Sequence, residues 1–293
     1  MPHLWIVLSL TSAFSLATSD ALTKRIITPE NEYTIAWLRI VYSLPILIIA
    51  MLLSPIPAID GTFFAAFLAA LPLEIAAILL YYKALRVSPL SLSLPFLSFT
   101  PVFLMLFSGI IMGEAVSAAG AVGIALVALG GYSLNLSSLR EGPLGPLKAV
   151  LRERGSMYML VVSLIYSATS ALGKLAITHS SPAFFGATYY LALAACLLPV
   201  IAVRQGGGRQ FFARLRDTAR PALLPGAFDA LQSVSHFYAV SMANVAYMVA
   251  IKRLSLIIGS GYGFLFFGER NMGERLIGSL MMFTGFVIIV VLG

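Results

Sequence analysis

The sequence predicts an all-α membrane protein with ten transmembrane helices, built as two inverted-topology repeats of five. Three observations lead there. Hydrophobic residues make up 59% of the 293 residues and charged residues 11%, whereas a soluble domain carries roughly a quarter charged residues. Apolar stretches of about twenty residues, each long enough to cross roughly 30 Å of hydrocarbon, recur along the whole chain. The pattern of small, acidic and aromatic residues in the first half returns in the second at a near-constant offset.

Breaking the apolar windows at charges, Pro and Gly gives the elements in order. The first, 4–22, lacks a basic n-region and runs straight into Asp20, Lys24 and Arg25, so it reads as a retained helix rather than a signal peptide. Spans 34–53 and 63–82 follow, the latter containing Pro72, and then 91–112, interrupted by Pro95 and Pro101. The fifth, 116–136, carries Ala119 and Gly123, a small-x-x-x-small pair suited to close helix contact. A polar interruption from Leu139 to Gly155, with Arg140, Lys148, Arg152 and Arg154, divides the spans five and five. It sets the predicted organisation: 1–138 as first repeat, 139–156 as basic linker and 157–293 as second repeat. The second repeat supplies 157–177, 184–203, 221–241 with Pro225, 244–267 softened by Gly259, Gly261 and Gly263, and 276–292 with Gly278 and Gly285.

A shift of 155 residues places Glu74 on Asp229, Tyr82 on Phe237, Gly113-Glu114 on Gly268-Glu269, Gly123 on Gly278 and Gly130 on Gly285. For the first helix of each half the shift is 150, which pairs Ser19 with Thr169 and Lys24 with Lys174. With an odd number of spans per repeat, the second copy must enter the membrane from the opposite side, an arrangement that supports alternating access around a site near the midplane.

Nearly all Lys and Arg fall in loops that alternate to one side, which the positive-inside rule makes cytoplasmic and which places both termini outside. The expected location is the cell inner membrane, multi-pass. The same loop placement accounts for the net charge of +7 without nucleic acid. The lone Cys196 sits in an apolar stretch and excludes disulfides and thiolate metal sites. There is no phosphate-binding Gly-rich loop for an ATP-driven pump, no zinc motif and no nucleophilic trio. The expectation is therefore no enzyme, cofactor or metal, with energy drawn from a gradient. The expected partners are a small-molecule substrate and membrane lipids, and the expected state is monomer or homodimer.

A charge near the bilayer centre costs about 2.5 to 3.5 kcal/mol on insertion scales, so the few present mark candidate sites. Glu74 and Asp229 sit mid-span at repeat-equivalent positions and can serve as proton or charge sites, or as structural ion-pair partners. From Asp229, helical spacing puts Gln232, Ser233 and His236 on one face, whereas the equivalent stripe from Glu74 runs through Ala77 and Ile78 to Tyr81. An asymmetric cavity follows. Lys252 and Arg253 lie too deep in the ninth span to snorkel easily and need anions. Asp20 and Lys24 permit an intrahelical ion pair, and Lys24, Lys174, Arg39 and Lys83 read as interfacial residues near helix ends.

The run Tyr82-Lys83-Ala84-Leu85, the Pro/Ser-rich fourth span, Gly113-Glu114 and the Gly-spaced fifth helix resemble the EamA half of the drug/metabolite transporter superfamily. The echo from Tyr238-Ala239-Val240 through Gly268-Glu269-Arg270 to Gly278 and Gly285 resembles the second half. The resemblance implies a ten-helix secondary transporter in which helices one, three, four, six, eight and nine line a central cavity. It implies cytoplasmic termini, opposite to the charge count. The Lys252-Arg253 pair is similar to the adjacent Lys-Arg with which plastid sugar-phosphate translocators hold phosphate. The function so implied is transport of an amino acid or of a phosphorylated or other anionic metabolite, coupled to protons or to exchange, with export favoured. Lys252, Arg253, His236, Tyr238 and Gln232 would contact substrate, and Glu74 and Asp229 would couple charge. The same residues also fit a non-transporting membrane scaffold or sensor whose buried charges only lock helices.

Overall fold

A computed structural model describes residues 3–89, 93–133, 153–204, 208–267 and 272–293. The basic linker from Leu139 to Arg152 and the Gly268-Glu269-Arg270 segment lie outside the described residues. Among those residues all regular structure is helical: α1 (Leu4–Ile26), α2 (Glu32–Leu52), α3 (Gly61–Val87), a 3-10 segment (Leu94–Phe99), α4 (Thr100–Met112), α5 (Ala118–Ser133), α6 (Arg154–Thr178), α7 (Pro182–Arg204), α8 (Gly208–Met242), α9 (Val245–Lys252), α10 (Ser255–Phe267) and α11 (Met272–Leu292).

Seven helical segments among the described residues are long and apolar enough to cross a membrane, and Ala118–Ser133 and Leu276–Leu292 are shorter apolar helices. Large apolar side chains such as Leu52, Ile110 and Leu265 stand exposed on the outer surface, as lipid contact requires. The chain is a multi-pass membrane protein. α8 is the long, less apolar exception, because its interior carries the stripe of Asp229, Gln232, Ser233 and His236.

Packing respects the sequence repeat. α1 lies against α8 and α3 against α6, the same pair with the halves exchanged, while α2 meets α7 and α5 meets α11. The α5–α11 contact is backbone to backbone. A Cβ on Gly285 would stand 2.5 Å from the Gly123 carbonyl oxygen, and one on Gly130 would stand 2.7 Å from that of Gly278. Glycine at these positions is thus what lets the two helices touch, since without a strong hydrophobic drive in lipid, close van der Waals contact must hold them.

The structure departs from the sequence reading in three places. α8 begins at Gly208, well before residue 221, because Phe211 and Thr218 bury one face of an otherwise polar extension. The ninth span is interrupted not at its glycines but at Arg253-Leu254, between α9 and α10, where Leu254, Leu256 and Ile257 make tight three-residue backbone hydrogen bonds. Under the repeat offset this interruption falls at the end of the 3-10 segment that begins the fourth span. Lys24 and Lys174, read as interfacial, instead reach inward. Lys24 Nζ donates to the Leu85 and Ser88 carbonyls at 2.5 and 2.7 Å, and Lys174 Nζ donates to the Ala243 carbonyl. These repeat-equivalent lysines cap the ends of α3 and α8, where terminal carbonyls lack intrahelical partners and a cation suits the helix dipole.

Candidate functional site

A cavity of about 170 Å³ lies between the halves, lined from α1, α2, α3, the 3-10 segment, α6, α7, α8 and α9. Its floor is a buried charge cluster centred on Arg39, whose residue is 2% exposed. Arg39 Nη1 donates to Asp20 Oδ1 at 3.0 Å and to Thr23 Oγ1 at 3.2 Å, while Nη2 and Nε donate to Asp229 Oδ1 at 2.6 and 3.2 Å. Of the remaining carboxylate oxygens, Asp20 Oδ2 accepts from the Tyr81 hydroxyl, while Asp229 Oδ2 has only Ser43 Oγ at 3.3 Å, a hydroxyl whose one proton is shared with the Arg39 carbonyl at 2.9 Å. The guanidinium lies 5.4 Å from the Tyr82 ring centroid. Burial of ions demands this degree of pairing, because each ion loses several kcal/mol of hydration and only good geometry offsets it.

That cluster corrects two readings. Asp20 does not pair with Lys24 along its own helix but reaches Arg39 on α2. Arg39 is not an interfacial residue; it joins α1, α2 and α8, and with Tyr81 also α3. Asp229, expected as a charge-coupling site, is held in the same cluster. Lys83, by contrast, sits outside it, with its ammonium 5.0 Å from the Tyr158 ring.

The other lobe holds Glu74, Lys252, Arg253 and His236 around one space. Glu74 on α3 has Thr169 on α6 and Lys252 as its polar surroundings, yet among the described residues it makes no ion pair. Lys252 Nζ lies 3.5 Å from His236 Nδ1, a weak contact in which the imidazole nitrogen must accept. Arg253 Nη2 donates to Thr100 Oγ1 at 2.9 Å, which ties the two interrupted spans together, and its buried Nε has no hydrogen-bond partner among the described residues. Lys252 and Arg253 are still in helical register, with the Arg253 N–H bonded to the Val249 carbonyl at 3.1 Å, so the length of their side chains is what lets both reach the cavity from positions about 100° apart.

Between the lobes runs an aromatic wall. Phe185 and Tyr189 stack at 4.8 Å, Phe237 meets Phe185 edge-on at 5.4 Å, and Tyr190 hydrogen-bonds Ser233 at 2.5 Å. The hydroxyl of Tyr189 is buried without a partner among the described residues. Such a group carries a desolvation penalty that a ligand's polar atom would relieve.

Of the residues singled out in sequence, Glu74, Asp229, Gln232, His236, Lys252 and Arg253 all line the cavity. Tyr238 does not; its neighbour Phe237 takes that place. Sequence reasoning missed Arg39, Asp20 as its partner, and the aromatic wall. The family's sequence model matches residues 3–136 and 153–291, and its printed description is an EamA-like transporter family. The chain belongs to the EamA-like transporter family. No curated protein matches the chain. A solved crystal structure superposes on this EamA-like chain with a TM-score of 0.66 at 13% identity, over 98% of this chain and 99% of that one, a likeness of fold alone. Members of the EamA family are membrane transporters.

Proposed function

We propose that the protein is a secondary active carrier in the cell inner membrane, with ten spans in two inverted five-helix repeats that rock around the central cavity in alternating access. Its substrate is a small anionic or zwitterionic metabolite, an amino acid or a phosphorylated or carboxylated compound. The observation that carries this reading is the pair Lys252 and Arg253 on the cavity wall, with neither in an ion pair among the described residues. A buried Arg253 and a half-buried Lys252 against one carboxylate, Glu74, leave an excess positive charge that an anionic group would neutralise. The orphaned Arg253 Nε and Tyr189 hydroxyl supply further hydrogen-bonding positions for it. His236 and Gln232 complete the polar side of the site, and the stacked rings hold the substrate's apolar part. Export is the direction favoured by resemblance.

The scaffold reading has its own support in the Arg39 cluster, in which one guanidinium pairs with two acids from two other helices. That reading does not extend to Lys252 and Arg253, so locking and binding are divided between the two lobes.

The test is ligand-induced thermal stabilisation of the purified protein against amino acids, sugar phosphates and organic anions. One class is expected to raise the unfolding temperature of the wild type but not of Lys252→Ala. If no class stabilises the wild type, the anion site is wrong and the scaffold reading stands in its place.

A further inference from the structure

The fixed charges of the cavity divide into two unequal groups. On the floor, Asp20 and Asp229 exceed Arg39 by one negative charge. In the upper lobe, Lys252 and Arg253 exceed Glu74 by one positive charge. Lys174, also on the wall, is matched by Glu114, and His236, 3.5 Å from the Lys252 ammonium, adds no fixed charge. The empty cavity is therefore neutral as a whole. A monoanion bound at Lys252 and Arg253 would leave it with an uncompensated negative charge in low-dielectric surroundings, which is costly.

We propose that Glu74 gives up its charge when an anion docks on Lys252 and Arg253, so that each monoanion enters the cavity together with one proton. This rests on the anion-site reading above. The proton's destination follows from the hydrogen bonds. Asp20 and Asp229 are both ion-paired to Arg39, and Asp20 also accepts from Tyr81, so the floor acids already have a cation to hold them ionised. Glu74 lines the cavity with no ion pair among the described residues and only the shared Lys252 and Arg253 cations across it. The groups that face it from the packed elements are Tyr166 on α6, Tyr189 and Tyr190 on α7 and Arg39 on α2, with Asp229 and His236 on α8 and the two cations of α9 across the cavity. Arg39 is already engaged by two acids, and the tyrosines bring no charge. Glu74 and the incoming anion thus compete for one pair of cations, and a proton on Glu74 settles the competition in the anion's favour. The carboxylate swap keeps the cavity's total charge the same, empty or loaded, so the loaded carrier faces no added electrostatic barrier to reorientation.

The probes are benzoate, lactate and acetate, added to purified protein in weak buffer with a pH-indicating dye. The expected result is uptake of about one proton per anion bound, and an affinity that falls about tenfold per pH unit once Glu74 is ionised in the free protein. Glu74→Gln is expected to bind the same anion with no proton uptake and no pH slope. Lys252→Arg, whose charge is fixed, is expected to keep the proton uptake; its loss there would place the proton on Lys252 and overturn the proposal. Wild-type binding without proton uptake would also overturn it, while leaving the anion site intact. Failure of all three anions to bind the wild type would sink this inference, and the anion site with it if amino acids and sugar phosphates also fail to stabilise the protein.

Discussion

Arg39 answers to two carboxylates on two other helices, and its removal strands both. Loss of one partner from a buried ion cluster costs about 3–5 kcal/mol, because the remaining charge stays buried and unpaired. Arg39→Leu is therefore expected to lower stability by that order, measured by thermal unfolding in detergent, with a smaller loss at about pH 5 than at about pH 8 because stranded carboxylates can neutralise themselves in acid. The residues that sequence reading found, Glu74, Lys252 and His236, share a visible signal: a polar group where an apolar span has no use for one. Arg39 was hidden by the opposite circumstance. It stands near enough to a helix end to pass for an interfacial residue, and its partner Asp229 lies 190 residues away along the chain. The aromatic wall was hidden too, because Tyr and Phe are unremarked in a membrane helix until their rings are seen to stack. Tyr238 illustrates the remaining error, since a one-residue step rotates a side chain by about 100° and Phe237 faces the cavity instead.

Helix ends and helix contacts carry the next level. Asp60 caps α3 by accepting from the Phe63 backbone N–H at 2.9 Å and meets His179 at 2.8 Å. The Phe63 N–H, with His179, holds the Asp60 carboxyl below its ordinary value of 3.8. A carboxylate with a depressed folded value contributes stability that is fully present above the unfolded value and is lost as pH falls through the folded one. Asp60→Asn, which retains a capping oxygen, is expected to keep most of the unfolding temperature near neutral pH but to lose this acid-side dependence, and Asp60→Ala to lower it at neutral pH as well. At the α5–α11 contact, Gly130→Ala forces a methyl against backbone atoms of Gly278 and Met282 at 2.7 Å, so a loss of about 1–3 kcal/mol is expected in thermal unfolding. Element positions were largely legible because hydropathy and length are strong signals in lipid. The break in the ninth span was not, since glycine-based softness pointed to residues 259–263, while the regular helix ends at Arg253-Leu254.

The molecule as a whole is organised by its internal repeat, and the repeat was readable because one offset aligned acids, glycines and aromatics at once. What the offset could not reveal is that symmetry is broken where function is expected. Glu74 and Asp229 are equivalent in sequence, yet Asp229 is locked to Arg39 while Glu74 makes no ion pair among the described residues. The cross-half contact of Glu114 shows the same economy, since it pairs with Lys174 and also accepts from the Val245 backbone N–H at 3.1 Å, joining the halves at the start of α9. Rearrangement of such contacts is what a carrier requires and a scaffold does not. The most direct measurement is therefore the accessibility of a single cysteine placed on the cavity wall by Ser170→Cys, in a Cys196→Ser background, to a membrane-impermeant thiol reagent applied from either side of sealed vesicles. Alternating access predicts labelling from both sides, with each rate changed by substrate; labelling from one side only, or from neither, under every condition would contradict it.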